Sequence, residues 1–152
     1  MNPVGRILGV DLGARRIGLA VSDPSGIIAS PLGTIERSGD SHRDRVAIVA
    51  AANESEASIV VVGLPREMSG RMGPAAKAAR AEVEALRVLA PSLQFELVDE
   101  RMTTVIAQRS LIDAGVRRKA RKQTVDKVAA AVILRSYLES RPARAPRSDA
   151  DE

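Results

Sequence analysis

Short apolar runs separated by turn residues fill the first third of the chain, and helical spacing takes over after it. Arg6-Ile7-Leu8-Gly9-Val10-Asp11 is an apolar stretch ending in an acid, and Gly13-Ala14-Arg15-Arg16 reads as a turn. Residues 17–22 and 27–35 supply two more strands around the turn Asp23-Pro24-Ser25-Gly26, so three strands with tight connections predict an antiparallel meander. From about residue 44 to 56, Val46, Val49, Ala50 and Ala52 recur at helical spacing. Ser58 to Gly63 is a continuous apolar run, the pattern of a strand buried on both faces.

The second half alternates helices with a strand. Pro74 to Ala90 is rich in alanine, free of internal Gly and Pro, and predicts a long helix closed by Pro91. Leu93 to Val98 alternates as a fifth strand, and a helix from about Thr103 is expected to end at the left-handed cap Gly115. Val125, Val128, Ala129, Val132 and Ile133 then form one apolar stripe, with Thr124 as the expected N-cap. This order predicts an α/β fold: a mixed five-stranded sheet, three antiparallel strands and then parallel ones, flanked by helices. Residues 1–140 are expected to form one domain. Residues 141–152, rich in Pro, Arg, Ser, Asp and Ala, are expected to be a disordered tail.

Composition narrows the chemistry. The 152 residues are 45% hydrophobic and 28% charged, a globular balance, and the core must be aliphatic because Phe95 and Tyr137 are the only aromatics. A formal charge of +4 and a sequence pI near 10.1 favour anionic partners, nucleic acid first. The absence of cysteine excludes disulfides, thiolate nucleophiles and thiolate-bound zinc, and a lone His42 excludes a multi-histidine metal site. His42 is expected on the surface near a helix start. The first residues lack the apolar core of a signal peptide, and no window reaches the roughly 18–20 apolar residues of a membrane span, so a cytoplasmic protein with no membrane partner is expected.

Three acids stand where chemistry gathers in such sheets. Asp11 closes the first strand, Glu100 follows the fifth, and Asp126 begins the last helix. Hard carboxylate oxygens without nearby histidine or cysteine suit Mg²⁺ or Mn²⁺. Each acid also has a plain structural reading, Asp11 as a turn residue and the other two as charges at positive helix ends. Position alone leaves both readings open.

Several segments together resemble the YqgF/RuvX family, whose members are described as candidate Holliday-junction resolvases and as pre-16S rRNA nucleases. Residues 9–23, Gly-Val-Asp-Leu-Gly-Ala-Arg-Arg-Ile-Gly-Leu-Ala-Val-Ser-Asp, are similar to the family's opening. Gly63-Leu64-Pro65 with Gly70 resembles its central motif, and Asp99-Glu100-Arg101-Met102-Thr103-Thr104 its acid-arginine-threonine segment. The basic residues 117–122 followed by residues 125–134 are similar to its C-terminal signature. The departures are Arg66-Glu67-Met68-Ser69, more charged than usual, and Met102 in place of a leucine of similar volume.

The resemblance implies an RNase H-like fold and a nuclease with two divalent ions, Mg²⁺ or Mn²⁺, held by Asp11, Glu100 and Asp126. Arg117, Arg118, Lys119, Arg121 and Lys122 crowd the stretch just before Asp126; such a run alone reads as a solvated loop, but beside a metal site it is expected to hold backbone phosphates. Arg15, Arg16, Arg66, Arg71 and Lys77 are weaker candidates of the same kind. So few aromatics argue against base stacking, leaving backbone and shape to carry recognition. Processing of the 5′ end of precursor 16S rRNA, for which a monomer suffices, is the expected activity, with monomer and homodimer both left open. Resolution of branched DNA by a homodimer is the first alternative, and a non-catalytic ribosome-assembly factor the second.

Overall fold

A computed structural model describes residues 5–65, 71–100 and 118–141, apart from the side chains of residues 118–127. The three early strands are β1 (Arg6–Leu12), β2 (Arg16–Ser22) and β3 (Ala29–Glu36). They pair antiparallel, with Val10 opposite Leu19 and Leu19 opposite Gly33, as the short connections require. Asp23 closes the β2–β3 turn by accepting from the Ile27 and Ile28 amides, each at 2.8 Å, and from the Ser25 hydroxyl. The Ser25 bond, with those from the backbone, holds its carboxyl down at about 2. Helix α1 (Ser41–Glu54), strand β4 (Ala57–Leu64), helix α2 (Pro74–Leu89) and strand β5 (Gln94–Asp99) follow. β4 lies parallel to β1 and to β5, giving the sheet order β3-β2-β1-β4-β5. The last helix is α3 (Arg118–Ser140). The helix expected over residues 103–115 and the tail after residue 141 lie outside the described residues.

Strand alternation divides the core between two faces. Leu8, Val10, Val60, Val62 and Phe95 pack beneath α1 and α2, against Ile48, Ala52, Val83 and Leu86. Ile7, Ala20, Ile59, Val61 and Val98 face the other way, against Ala129, Ala130, Ile133 and Leu134 of α3. The interior strand β4, between β1 and β5, is buried on both faces, which is why its sequence runs apolar without alternation.

Two helices differ from their sequence patterns. The inward face of α1 is Asp44, Ile48 and Ala52, whereas Val46 is 45% exposed. The Ser38 hydroxyl and amide donate to Asp44 Oδ1, so a satisfied carboxylate occupies a place that hydrophobic spacing gives to valine. α3 begins at Arg118, six residues before the expected cap Thr124, because Arg, Lys, Ala and Gln are good helix formers. Asp126 therefore lies inside the helix, not in its first turn, and the helix-dipole explanation for that acid falls away.

The α3 stripe is also rotated, burying Ala130 and Leu134 while Val128 and Val132 stay half-buried. Gly9 is the cause. A Cβ built there would lie 2.8 Å from Leu134 Cβ and 2.9 Å from the Ala130 carbonyl oxygen, so glycine lets the helix rest on the strand backbone. Gly9→Ala has no flexible side-chain end to displace and must lift the helix. It is expected to cost about 1–3 kcal/mol of stability, typical of core overpacking. Thermal melting checks this: a drop of roughly 2–12 °C is expected for a chain of this size, and an unchanged midpoint refutes the close approach.

Candidate active site

Because β1, β4 and β5 run parallel, their carboxyl ends share one edge of the sheet, and an open cleft of about 590 Å³ lies there. Its lining includes Asp11 from β1, Gly63 from β4, Glu100 just after β5, and Arg37 just after β3. Asp11 is 3% exposed and Glu100 7%. Alternation gives Asp11 the parity of Ile7 and Gly9, and Gly63 that of Ile59 and Val61, all on the α3 face. Register places Asp11 and Gly63 one step beyond the paired Val10 and Val62. A Cβ on Gly63 would fall 2.5 Å from Glu100 Oε2, so the missing side chain is the space into which the Glu100 carboxylate folds.

α3 runs antiparallel to β1. Arg141, just beyond its C-terminus, brings Nη1 to 3.8 Å from where a Gly26 Cβ would stand, in the turn beyond β2. That turn is at the amino end of β1, where the Ile7 amide donates to Ser22 Oγ at 2.9 Å. The earlier residues of α3 therefore lead toward the Asp11 end of the sheet. Asp126 precedes Ala130 by four residues, and its side chain lies outside the described residues.

The remaining sites read from sequence are spread around this edge. Arg15 is exposed in the β1–β2 turn, and Arg16 is committed to Glu36, with Nε 2.7 Å from Oε2. Arg71 and Lys77 are exposed before and within α2. Arg66 and Arg117 lie outside the described residues, whereas Arg118, Lys119, Arg121 and Lys122 occupy the first turns of α3 without described side chains. His42 is exposed in the first turn of α1, as expected.

Sequence reasoning missed Arg37, the one cation among the described residues of the cleft lining. Its position just after a strand gave no periodic signal; a bond from its Nε to the Gly13 carbonyl, across 24 residues, brings it to the site. Glu82, also on the lining, is neutralised from α1 by a two-pronged contact with Arg45, at 2.8 and 3.2 Å.

Comparison with known proteins fits this geometry. The family described as "RuvX: Holliday junction resolvase" matches residues 5–140. The chain belongs to the RuvX family. Relatives of this RuvX chain include a Mycobacterium sp. (strain KMS) protein, 47% identical over 140 residues, 91% of this chain and 82% of the relative. A Nocardia farcinica protein is 45% identical over 144 residues, covering 91% and 80%. Both bear the name "Putative pre-16S rRNA nuclease". Among solved structures, T. thermophilus RuvC in complex with a Holliday junction substrate matches with TM-score 0.56 at 14% identity, over 89% of this chain and 95% of that one. The yeast mitochondrial Holliday junction resolvase matches with TM-score 0.50 at 12% identity, over 91% and 81%. The fold of the RuvX chain is thus the RNase H-like one that the resemblance implied, with the mixed five-stranded sheet that its strand and helix order predicted. No helix among the described residues is long and apolar enough to cross a membrane.

Proposed function

We propose that this chain is a metal-dependent nuclease that hydrolyses phosphodiester bonds while processing the 5′ end of precursor 16S rRNA. The observation that carries the reading is the convergence of two buried carboxylates, Asp11 and Glu100, on one cleft at the carboxyl edge of the sheet. The names of the relatives supply the substrate class.

The donor set fits divalent Mg²⁺ or Mn²⁺, for which carboxylate oxygens are the preferred ligands. Among the described residues no group of three or more acids, histidines or cysteines forms a metal site, so the set needs Asp126. Helix geometry supports that completion. Four residues of α3 from Ala130 back to Asp126 rise about 6 Å, and two residues of β1 from Gly9 on to Asp11 span about 6.6 Å in the same direction. Asp11, Glu100 and Asp126 would hold the ions, which supply a water of lowered pKa and charge stabilisation at the leaving oxygen. The protein's own part is to fix three oxygens in place. Glycine at 63 seats Glu100, β1 carries Asp11 one residue before its end, and a helix pressed onto Gly9 carries Asp126. Basic side chains at the start of α3 hold the strand through its phosphates.

The test incubates purified protein with Mg²⁺ or Mn²⁺ and two labelled substrates, a precursor 16S rRNA 5′ fragment and a four-way DNA junction. Cleavage of the RNA, abolished by a chelator and restored by added metal, is the expected result. Symmetric nicking of the junction alone would move the substrate to branched DNA and require a two-fold dimer. Binding of either substrate without cleavage under all metal conditions would make the chain a non-catalytic factor.

A further inference from the structure

Resting on the nuclease reading above, we infer that Arg37 is a phosphate anchor inside the catalytic cleft, gripping the backbone of the bound strand beside the acids. Three observations carry it. The first is charge. Besides Arg37, the charged residues described on the lining are Asp11, Glu82 and Glu100, and Arg45 already neutralises Glu82. A polyanion entering such a cleft needs a cation at hand, and Arg37 is placed to be it.

The second is the state of the guanidinium. Arg37 Nε donates to the Gly13 carbonyl at 2.9 Å, and its backbone amide donates to the Arg15 carbonyl at 2.9 Å, which fixes the stem. Its Nη1 stands 4.0 Å from Asp44 Oδ2, beyond hydrogen-bond length. Among the described residues the two terminal nitrogens thus meet no acceptor at bonding distance, although the side chain is only 29% exposed. A half-buried fork with unmet donors suits a phosphate, whose oxygens accept two parallel bonds.

The third is the support behind it. Asp44, with its side chain 5% exposed, is clasped by the Ser38 hydroxyl at 2.7 Å and the Ser38 amide at 3.1 Å. The Ser38 hydroxyl above all, helped by Arg37, keeps the Asp44 carboxyl below the usual range, so it stays charged and steers the guanidinium. Small residues make up much of the rest of the lining: Gly13 and Ala14 after β1, and Ala75, Ala78 and Ala79 of α2. Their size lets a sugar-phosphate chain come close.

The test compares Arg37→Gln and Arg37→Lys in an Asp11→Asn background, chosen to suppress cleavage during the binding measurement. Fluorescence anisotropy with the labelled precursor 16S rRNA fragment gives affinity at several salt concentrations. Loss of one phosphate contact lowers the log–log salt slope by about 0.7 for a single strand or 0.9 for a duplex, with binding about tenfold weaker. Arg37→Lys should keep the slope and recover part of the affinity. An unchanged slope in Arg37→Gln overturns the inference, including when that variant melts lower, since loss of the Gly13 bond alone affects stability and not counterion release. Parallel cleavage assays with the parent protein separate the two readings. A slope change without any parental cleavage retains the anchor and sinks the nuclease, and parental cleavage without a slope change does the reverse.

Discussion

Replacing Asp11 or Asp126 by Asn, or Glu100 by Gln, is expected to slow RNA cleavage at least about 100-fold, equivalent to roughly 2.7 kcal/mol at the transition state. The amides preserve shape and volume, so the loss isolates the charge that holds metal. Each amide can keep part of the hydrogen bonding of the acid it replaces, so each variant should melt in chelator within a few degrees of the parent. Single-turnover cleavage and thermal melting in chelator are the paired measurements. A variant that cuts at the parental rate removes that acid from the ligand set. One that loses activity and also melts several degrees lower marks its acid as structural.

The strands and their order could be read in the sequence because their patterns are local. The unbroken run in β4 follows from burial on both faces, and the tight turns of β1, β2 and β3 force antiparallel pairing. The places of Asp11 near the end of β1 and Glu100 after β5 were equally legible, since both strands belong to the parallel set, although position alone did not assign their role. The faces of the helices were not. In α1 the inward residue at the start is Asp44, and nothing in hydrophobic spacing signals that Ser38 will satisfy a buried carboxylate. In α3 the buried face is chosen by Gly9 and Gly63 of strands far away in sequence, against Ala130, Ile133 and Leu134. A signal was present: isolated glycine inside an apolar strand often marks a close backbone approach. Arg37 stayed hidden because its place depends on long-range bonds to the Gly13 and Arg15 carbonyls.

Gly9 and Gly63 also divide the work of joining fold and site. Gly9 meets a helix backbone carbonyl and a Cβ, so its role is to set the height of α3 above the sheet. Gly63 meets a carboxylate and a methyl group, so its role is to leave room for a functional side chain. Both lie on the face that α3 covers, and their combined absence of side chains forms the groove that a helix bearing an acid can occupy.

That division makes Gly63→Ala a sharper probe than loss of any one acid. Its Cβ would sit 2.5 Å from Glu100 Oε2, 3.3 Å from Glu100 Cδ and 2.7 Å from Ile133 Cδ1, and real Cβ contacts essentially never fall below 3.0 Å. Something must move. The Glu100 carboxylate, at the end of a rotatable chain, yields more easily than Ile133, which is fully buried. Displacement by about 1 Å at a reacting centre costs on the order of 100-fold in rate, so cleavage should nearly vanish with every carboxylate still present. The stability cost should stay near 1–3 kcal/mol, as for other overpacked cores. Adding Ile133→Val removes the clashing Cδ1 and should recover part of the melting temperature, yet none of the activity, because the clash with Glu100 remains. Parental cleavage by Gly63→Ala would show that the seat of Glu100 is not needed for chemistry. Recovery of activity by the second substitution would shift the critical contact from the carboxylate to the helix.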